Sequence, residues 1–184
     1  NAITEKSINM SAISVNFLGT GTSHAIPMIA CDCETCTSTD TKDKRTNSSL
    51  LIGIDGKNIL IDCGKDFRNQ AITHNIRNIS AVFITHNHSD HTSGIDDLRA
   101  FNRVQGSAIP IYGKQDHLDE LKNYTFRYLF SEDTQKGGGI ADINLKAIDE
   151  VTTVKGIDFE PLKVMHGGIE IFGYKFENCA YISD

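Results

Sequence analysis

An apolar run that ends in a cluster of metal-binding residue types constrains the fold more than any other feature of this chain. Ala81-Val82-Phe83-Ile84 is continuously apolar, which is typical of a strand buried on both faces of a sheet. The chain continues directly as Thr85-His86-Asn87-His88-Ser89-Asp90-His91, and a helix is expected to begin near Ser89. Open α/β sheets bind ligands at such strand-to-helix turns. The segment therefore predicts an α/β or α+β domain with a site at this turn.

The residue types in this turn are those that hold transition metals. His86 and His88 are two positions apart, so in an extended segment their side chains project to the same side. Together with Asp90 and His91 they offer imidazole nitrogens and a carboxylate, which suit Zn²⁺, Mn²⁺ or Fe²⁺. The alternative is a solvated polar loop with incidental histidines. Three histidines and an aspartate within six residues favour the metal site.

The remaining pattern predicts more strands than helices. Asp55-Gly56 supplies the positive φ angles of a tight turn between strands at 49–54 and 58–62. Pro110 suggests that a short strand at 109–112 lies at a sheet edge or that the proline starts the strand. Other strands are expected at 13–17, 143–148, 159–165, 169–176 and 180–183, and helices at 66–74, 95–104 and 116–130.

Length and composition restrict the classes of protein to consider. With 184 residues, the chain suits one domain over residues 11–184, and we interpret residues 1–10 as a tag remnant or a disordered start. No apolar run approaches the ~20 residues that cross a bilayer, so we expect no membrane association. A net charge of −6 argues against strong nucleic-acid binding. No secretory signal pattern is seen, which predicts a cytoplasmic protein.

Three cysteines lie close together in the first long loop. Cys31, Cys33 and Cys36 could wrap one tetrahedral Zn²⁺ with a fourth ligand from elsewhere. The alternatives are a redox dithiol at Cys33 and Cys36 or three free thiols. Cys63 and Cys179 are expected to be small buried apolar residues.

Several motifs together resemble a known family. His86-x-His88-x-Asp90-His91 is similar to the signature of the metallo-β-lactamase superfamily. The segment Phe17 to Ser23, followed by Pro27 and the three cysteines, resembles its PhnP-like branch, which contains a phosphonate-pathway cyclic phosphodiesterase. Similar motifs continue at Ile61-Asp62-Cys63-Gly64, Val164-Met165-His166-Gly167 and Tyr181-Ile182-Ser183-Asp184, so the resemblance runs from about Val15 to Asp184.

The resemblance implies a metallo-β-lactamase αββα sandwich with two divalent metal ions, Zn or Mn. It implies that His86, His88 and His166 hold one ion, that Asp90 and His91 hold the other, and that Asp184 bridges them. Asp62 would orient ligands from outside the metal shell, the alternative being a turn-capping role. The cysteine trio would hold a structural Zn. The superfamily's last histidine ligand and a second half of the fold normally lie beyond the position of Asp184, so we expect the C-terminal part to be missing here.

The implied function is a metal-dependent hydrolase, a phosphodiesterase that cleaves a small or cyclic phosphodiester with a hydroxide held between two metal ions. Asp90 and Asp184 are the expected catalytic carboxylates. The alternatives are a tRNA 3′-processing-type nuclease or thioester hydrolase on the same site, and a non-catalytic zinc-stabilised binding module. The expected partner is the small phosphodiester substrate, and the sequence leaves open whether the chain forms a homodimer. His24, His74 and His117 are expected to be surface or packing histidines.

Overall fold

The computed structural model of the chain describes residues 12–131, 134 and 139–184. The prediction for residues 1–10 therefore lies outside the described residues.

In the part of the chain that the structure describes, ten strands form two sheets. The first sheet has the order β1-β2-β3-β4-β5-β6 and the second has the order β10-β9-β8-β7. In the first sheet β1, β2 and β3 are antiparallel, whereas β3, β4, β5 and β6 run parallel. All pairs in the second sheet are antiparallel. The strands are β1 (Ile13–Gly19), β2 (Ser49–Ile54), β3 (Lys57–Ile61), β4 (Ala81–Phe83), β5 (Ile109–Gly113), β6 (Ile143–Ala147), β7 (Thr152–Val154), β8 (Ile157–His166), β9 (Ile169–Phe176) and β10 (Cys179–Tyr181).

The helices are short and lie mainly in the connections between parallel strands. They are α1 (Glu34–Thr37), α2 (Phe67–Thr73), α3 (Ser89–Thr92), α4 (Arg99–Gln105), α5 (Gln115–Glu120) and α6 (Arg127–Phe130). Two 3₁₀ turns, Thr41–Asp43 and Ile95–Leu98, and one π-helical segment, Leu121–Thr125, complete the set. Within the described residues, every helix is too short or too polar to pass through a bilayer.

Alternate residues of the first sheet face two separate hydrophobic clusters. Leu60 and Val82 point into a cluster that includes Phe67 and Phe101 from the helices. Their neighbours in β3 and β4 point the other way, where Phe83 stacks on Phe159 of the second sheet with ring centroids 4.2 Å apart. This two-sided burial explains why β4 is continuously apolar. The clusters define a helix layer, a first sheet and a second sheet, which are three of the four layers of the expected sandwich.

Most predicted elements are present, and the mixed α/β class is confirmed. The Asp55-Gly56 hairpin turn is also confirmed, with φ of 47° and 72° at these residues. Of the two alternatives for Pro110, the sheet edge is wrong, because β5 lies between β4 and β6. The strand start agrees with the structure, since Pro110 is the second residue of β5. Pro110 is tolerated since pairing with β4 begins only at Ile111.

Three further differences have local causes. The helix expected over 116–130 is interrupted by the π-helical segment and resumes as α6. β7 has three residues, too few for a period-two pattern, so no strand was predicted there. Cys63 is buried as expected, but the expected burial of Cys179 is wrong, because it lies exposed at the start of β10.

Candidate metal centre

Loops from both sheets meet at one edge of the molecule. Because β3 and β4 are parallel, the residues after their carboxyl ends, Asp62 and the segment 85–91, lie at the same edge. The second sheet contributes His166 from the end of β8, and Asp184 from the segment after β10. The site is therefore assembled from residues more than a hundred positions apart in the chain.

The imidazoles of this site converge. One ring nitrogen each of His86, His88 and His166 lies within 4.8 Å of the others, and a second such group joins His86, His91 and Asp184. His86 Nε2 lies 2.9 Å from His88 Nδ1. His86 is buried, and this burial together with the surrounding imidazoles lowers its pKa to about 2. A histidine that stays neutral keeps a lone pair for a cation.

Asp62 and Thr85 fix the orientation of the neighbouring rings. Asp62 is fully buried and accepts hydrogen bonds from the Thr85 backbone N–H at 2.8 Å and from His91 Nδ1 at 2.7 Å. The Thr85 hydroxyl donates to Asp62 at 3.0 Å. Its oxygen lies 3.0 Å from His86 Nδ1 and can accept a hydrogen bond from that nitrogen. Both Nδ1 atoms therefore carry hydrogen, and both Nε2 atoms face the site. This is the arrangement that orients metal-binding histidines in proteins.

The surroundings of His91 favour a positive charge at its Nε2 atom. This nitrogen lies 3.3 Å from Asp90 Oδ2 and 3.5 Å from Asp184 Oδ1. Burial opposes the charged ring, but the hydrogen bond and charge of Asp62, with the charges of Asp90 and Asp184, outweigh it and raise the pKa of His91 to about 9. A lone pair that faces two carboxylates requires a proton or a metal ion between them, so the donor set fits a divalent cation.

Asp184 reaches both groups of histidines with its two oxygens. Oδ1 lies 3.5 Å from His91 Nε2, and Oδ2 lies 3.5 Å from His166 Nε2. The structure thus brings together His86, His88, His91, His166 and Asp184. Asp90 contacts His91 but belongs to neither of the two groups whose ligand atoms are mutually within 4.8 Å.

The ligand loop is held against the end of β3 by close backbone contacts. The Cys63 N–H donates to the His91 carbonyl at 2.7 Å. A Cβ atom on Gly64 would lie 1.8 Å from the Asp90 carbonyl oxygen, so only glycine permits this approach. From the other side, the buried Tyr174 hydroxyl donates to the Ile84 carbonyl at 2.6 Å. Both sheets therefore fix the position where the loop begins.

A cavity of ≈ 480 Å³ opens directly onto these residues. Its lining contains His88, His91 and His166 with Asp90 and Asp184, and a second set of residues that is rich in hydroxyl groups, here called the hydroxyl wall. The hydroxyl wall consists of Thr20, Gly21, Thr22, Ser23, Ser48 and Ser183. Its Thr20 to Ser23 segment accepts hydrogen bonds from the side chains of Arg45, Asn47 and Lys65. Sequence analysis used the segment Phe17 to Ser23 only for the family resemblance and placed no site residue in it.

The three cysteines of the first loop come together as a separate group. The Sγ atoms of Cys31, Cys33 and Cys36 lie within 4.8 Å of one another. Cys33 and Cys36 flank the start of the one-turn helix α1, and the Met28 N–H donates to Cys36 Sγ at 3.4 Å. The described residues place no fourth ligand in this group. The geometry suits a tetrahedral metal with one position open.

The other histidines and Arg99 lie outside the two groups. His24 and His74 are exposed. His117 is buried, as a packing histidine is, and hydrogen-bonds Asn87 and Glu170. Arg99 pairs with Asp96 at 2.6 Å on an exposed helix face.

Known proteins similar to this chain include one named as a transferase and several named as nucleases. The chain is 39% identical over 168 residues to the "Octanoyltransferase" of Porphyromonas gingivalis, which covers 91% of this chain and 34% of that protein. It is 34% identical over 83 residues to a "Ribonuclease Z" of Methanococcus maripaludis, covering 43% of this chain and 26% of that protein. The chain thus spans about a third or less of the length of these relatives.

Solved structures show the same fold. A diphosphatase from the PhnP family superposes with a TM-score of 0.83 at 36% identity, covering 93% of this chain and 65% of that one. Human tRNase Z, short form, superposes with a TM-score of 0.59 at 20% identity, covering 89% of this chain and 64% of that one. The latter likeness shows the fold alone.

The family model described as "Beta-lactamase superfamily domain" matches residues 57–184. This range contains β3 to β10 and every histidine and carboxylate of the two ligand groups. The chain therefore belongs to the β-lactamase superfamily, and its fold is the metallo-β-lactamase fold.

Proposed function

We propose that this chain is the catalytic domain of a metal-dependent phosphodiesterase that acts on a small phosphodiester or diphosphate. One observation carries the proposal: two groups of ligands share His86, are joined by Asp184, and open onto one cavity. His86, His88 and His166 would hold one ion, and His91, Asp90 and Asp184 would hold the second, with Asp184 shared. Zn²⁺ and Mn²⁺ both suit imidazole and carboxylate ligands.

Divalent ions in such a site polarise phosphoryl oxygens and make water a strong nucleophile at neutral pH. The chain's own residues supply the rest. Asp62 keeps the His91 hydrogen on Nδ1, and the Thr85 hydroxyl does the same for His86. Asp90 and Asp184 line the cavity and would orient the attacking water and take up its proton. No described residue is assigned as the acid for the leaving group.

The cavity and its walls support a small substrate. A volume of ≈ 480 Å³ is within the range of small-molecule sites. In the hydroxyl wall, Thr20, Thr22 and Ser23 can donate hydrogen bonds to phosphoryl or sugar oxygens. The hydroxyls of Ser48 and Ser183 already donate to the Gly21 carbonyl and to Thr85. The net charge of −6 gives no general attraction for a nucleic-acid backbone. These features favour the small phosphodiester over the tRNA 3′-processing alternative, and the similarity to the PhnP-family diphosphatase agrees with it.

A second candidate is hydrolysis of an acyl thioester at the same site. It is favoured by the 39% identity to a protein named for octanoyl transfer. The aligned part is 34% of that protein, so the name also covers a much longer remainder. We rank this candidate below the phosphodiesterase, because the similarity to the PhnP-family diphosphatase extends over 65% of that protein, whereas the octanoyltransferase match extends over only 34%.

The direct test is hydrolysis of bis(p-nitrophenyl) phosphate by the chain with added Mn²⁺. We expect EDTA to abolish the activity and His88→Ala to lower kcat/KM by about 100-fold or more, since even residues outside the metal shell affect metal sites by 10–100-fold. His74→Ala, an exposed histidine outside both groups, is the matched control. An inactive wild-type protein with both ions bound, or an active His88→Ala variant, would refute the proposal. Hydrolysis of an octanoyl thioester in place of the phosphodiester would favour the second candidate.

A further inference from the structure

His117 is a buried histidine that belongs to neither ligand group. It is 7% exposed and lies in α5, which follows β5. Its ring centroid is 6.4 Å from that of His86, and its nitrogens are engaged elsewhere. Nδ1 lies 2.9 Å from the Asn87 side-chain oxygen, and Nε2 lies 3.0 Å from the Glu170 backbone oxygen. The ring therefore bridges two segments that are 83 positions apart in the numbering of the chain.

Both segments carry proposed metal ligands. Asn87 stands between His86 and His88. Glu170 pairs with Met165 across the β8–β9 hairpin, and the next pair toward the turn is His166 with Ile169. We infer that His117 is a positioning residue that fixes the His86–His88 loop relative to the hairpin bearing His166, so that the three imidazoles converge on one ion. This inference rests on the proposed function.

The hydrogen bonds of the ring are compatible with this role. The Glu170 carbonyl can only accept, so Nε2 carries the hydrogen. The Asn87 amide carries both an acceptor oxygen and a donor NH₂ group, so it can pair with Nδ1 whether that nitrogen donates or accepts. Each ring nitrogen of His117 thus has a hydrogen-bond partner. Because the ring is buried, water cannot replace either partner if it is lost.

A second contact strengthens the same bridge. Lys114, three positions before His117, lies 3.4 Å from the Glu170 carboxylate and 2.9 Å from Asp116. Lys114 and Glu170 are partly exposed, so this ion pair contributes little by itself. The buried His117 contacts are therefore the ones that a substitution should affect most.

Substitutions can separate the two contacts of the ring. His117→Leu removes both hydrogen bonds of the ring and keeps much of the side-chain volume. Asparagine places an amide near the position of Nδ1, and glutamine places one near the position of Nε2. His117→Asn should thus retain the contact with Asn87, and His117→Gln should retain the contact with Glu170. His74→Leu, at an exposed histidine, is the matched control.

The experiment is a titration of the metal-free full chain with Mn²⁺, followed by the electron paramagnetic resonance signal of free Mn²⁺. Mn²⁺ disfavours thiolate ligands, so the cysteine trio does not interfere. We expect His117→Leu to weaken Mn²⁺ binding by about 10–100-fold, the usual effect of residues that orient ligands. His117→Asn and His117→Gln should each recover part of the affinity, and His74→Leu should bind as the wild type does.

Thermal unfolding of the same metal-free proteins separates positioning from general stability. If His117→Leu lowers the midpoint of unfolding but the folded variant binds Mn²⁺ as the wild type does, the residue is merely structural and the inference is overturned. If His117→Leu does not fold, the asparagine and glutamine variants decide by the same criterion. A wild-type chain that binds no Mn²⁺, and no Zn²⁺ beyond one ion at the cysteine trio, would refute the proposed function and this inference with it.

Discussion

Replacing Asp62 by asparagine tests how the buried carboxylate controls the metal centre. Asp62 has a φ of 63°, a left-handed conformation that asparagine also tolerates well, so the backbone can stay in place. The new side chain has one oxygen and one NH₂ group where the carboxylate has two acceptors. The oxygen can still accept from the Thr85 N–H, at 2.8 Å in the wild type. The NH₂ group then faces His91 Nδ1, which is 2.7 Å from the carboxylate.

Two donors cannot face each other at this distance, so His91 Nδ1 must give up its hydrogen, and the hydrogen that the ring keeps must lie on Nε2. There it occupies the space between the ring and the carboxylates of Asp90 and Asp184, at 3.3 Å and 3.5 Å. We expect the affinity for the second metal ion to fall by about 10–100-fold, which corresponds to ~1.4–2.8 kcal/mol. One charge-assisted hydrogen bond is also lost, and the free energy of unfolding of the metal-free protein should fall by about 1.5–3 kcal/mol.

The assay combines Mn²⁺ titration, urea denaturation in EDTA and ¹⁵N NMR of the imidazole nitrogens, which reports where the His91 hydrogen lies. Asp66→Asn is the matched control, because Asp66 accepts a hydrogen bond from the Asn47 N–H at 2.9 Å without contacting a histidine in the described structure. Its remaining oxygen can keep that bond, so metal affinity should not change. If Asp62→Asn binds both ions as tightly as the wild type, or if His91 keeps its hydrogen on Nδ1, the reasoning is wrong.

Two other predictions concern the hydrogen bond that supports the start of the ligand loop and the cysteine trio. Tyr174→Phe leaves the Ile84 carbonyl without the 2.6 Å hydrogen bond from the buried hydroxyl, so urea denaturation should show a loss of about 1–3 kcal/mol; Tyr124→Phe, 74% exposed, should show none. Iodoacetamide should label four of the five cysteines of the metal-free native protein, because burial raises the pKa of the Cys63 thiol well above its usual value. Zn²⁺ should protect Cys31, Cys33 and Cys36 and leave Cys179 reactive. Mass spectrometry counts the labels, and four labels in the presence of Zn²⁺ would contradict a metal site at the trio.

Wherever the determining interactions were local, the sequence predicted the structure. The Asp55-Gly56 turn needs two positive φ angles, and those residues supply them without help from the rest of the chain. The apolar run before Thr85 predicted a strand buried on both faces, and β4 is such a strand. His86, His88, Asp90 and His91 were found together because they share one turn.

Only the tertiary structure decided which distant residues reach that turn. Pro110 suggested either a sheet edge or a strand start, and only the sheet decided between them: β5 lies inside the sheet, with its pairing to β4 starting at Ile111. His117 resembled any packing histidine in the sequence, and its bridge between Asn87 and Glu170 exists only once β9 packs beside the loop. Hydrogen bonding and steric preference within a turn depend on neighbouring residues, whereas the position of one sheet over another depends on the burial of many side chains at once. The local sequence therefore specified the ligand types, and the packing of the two sheets specified their convergence.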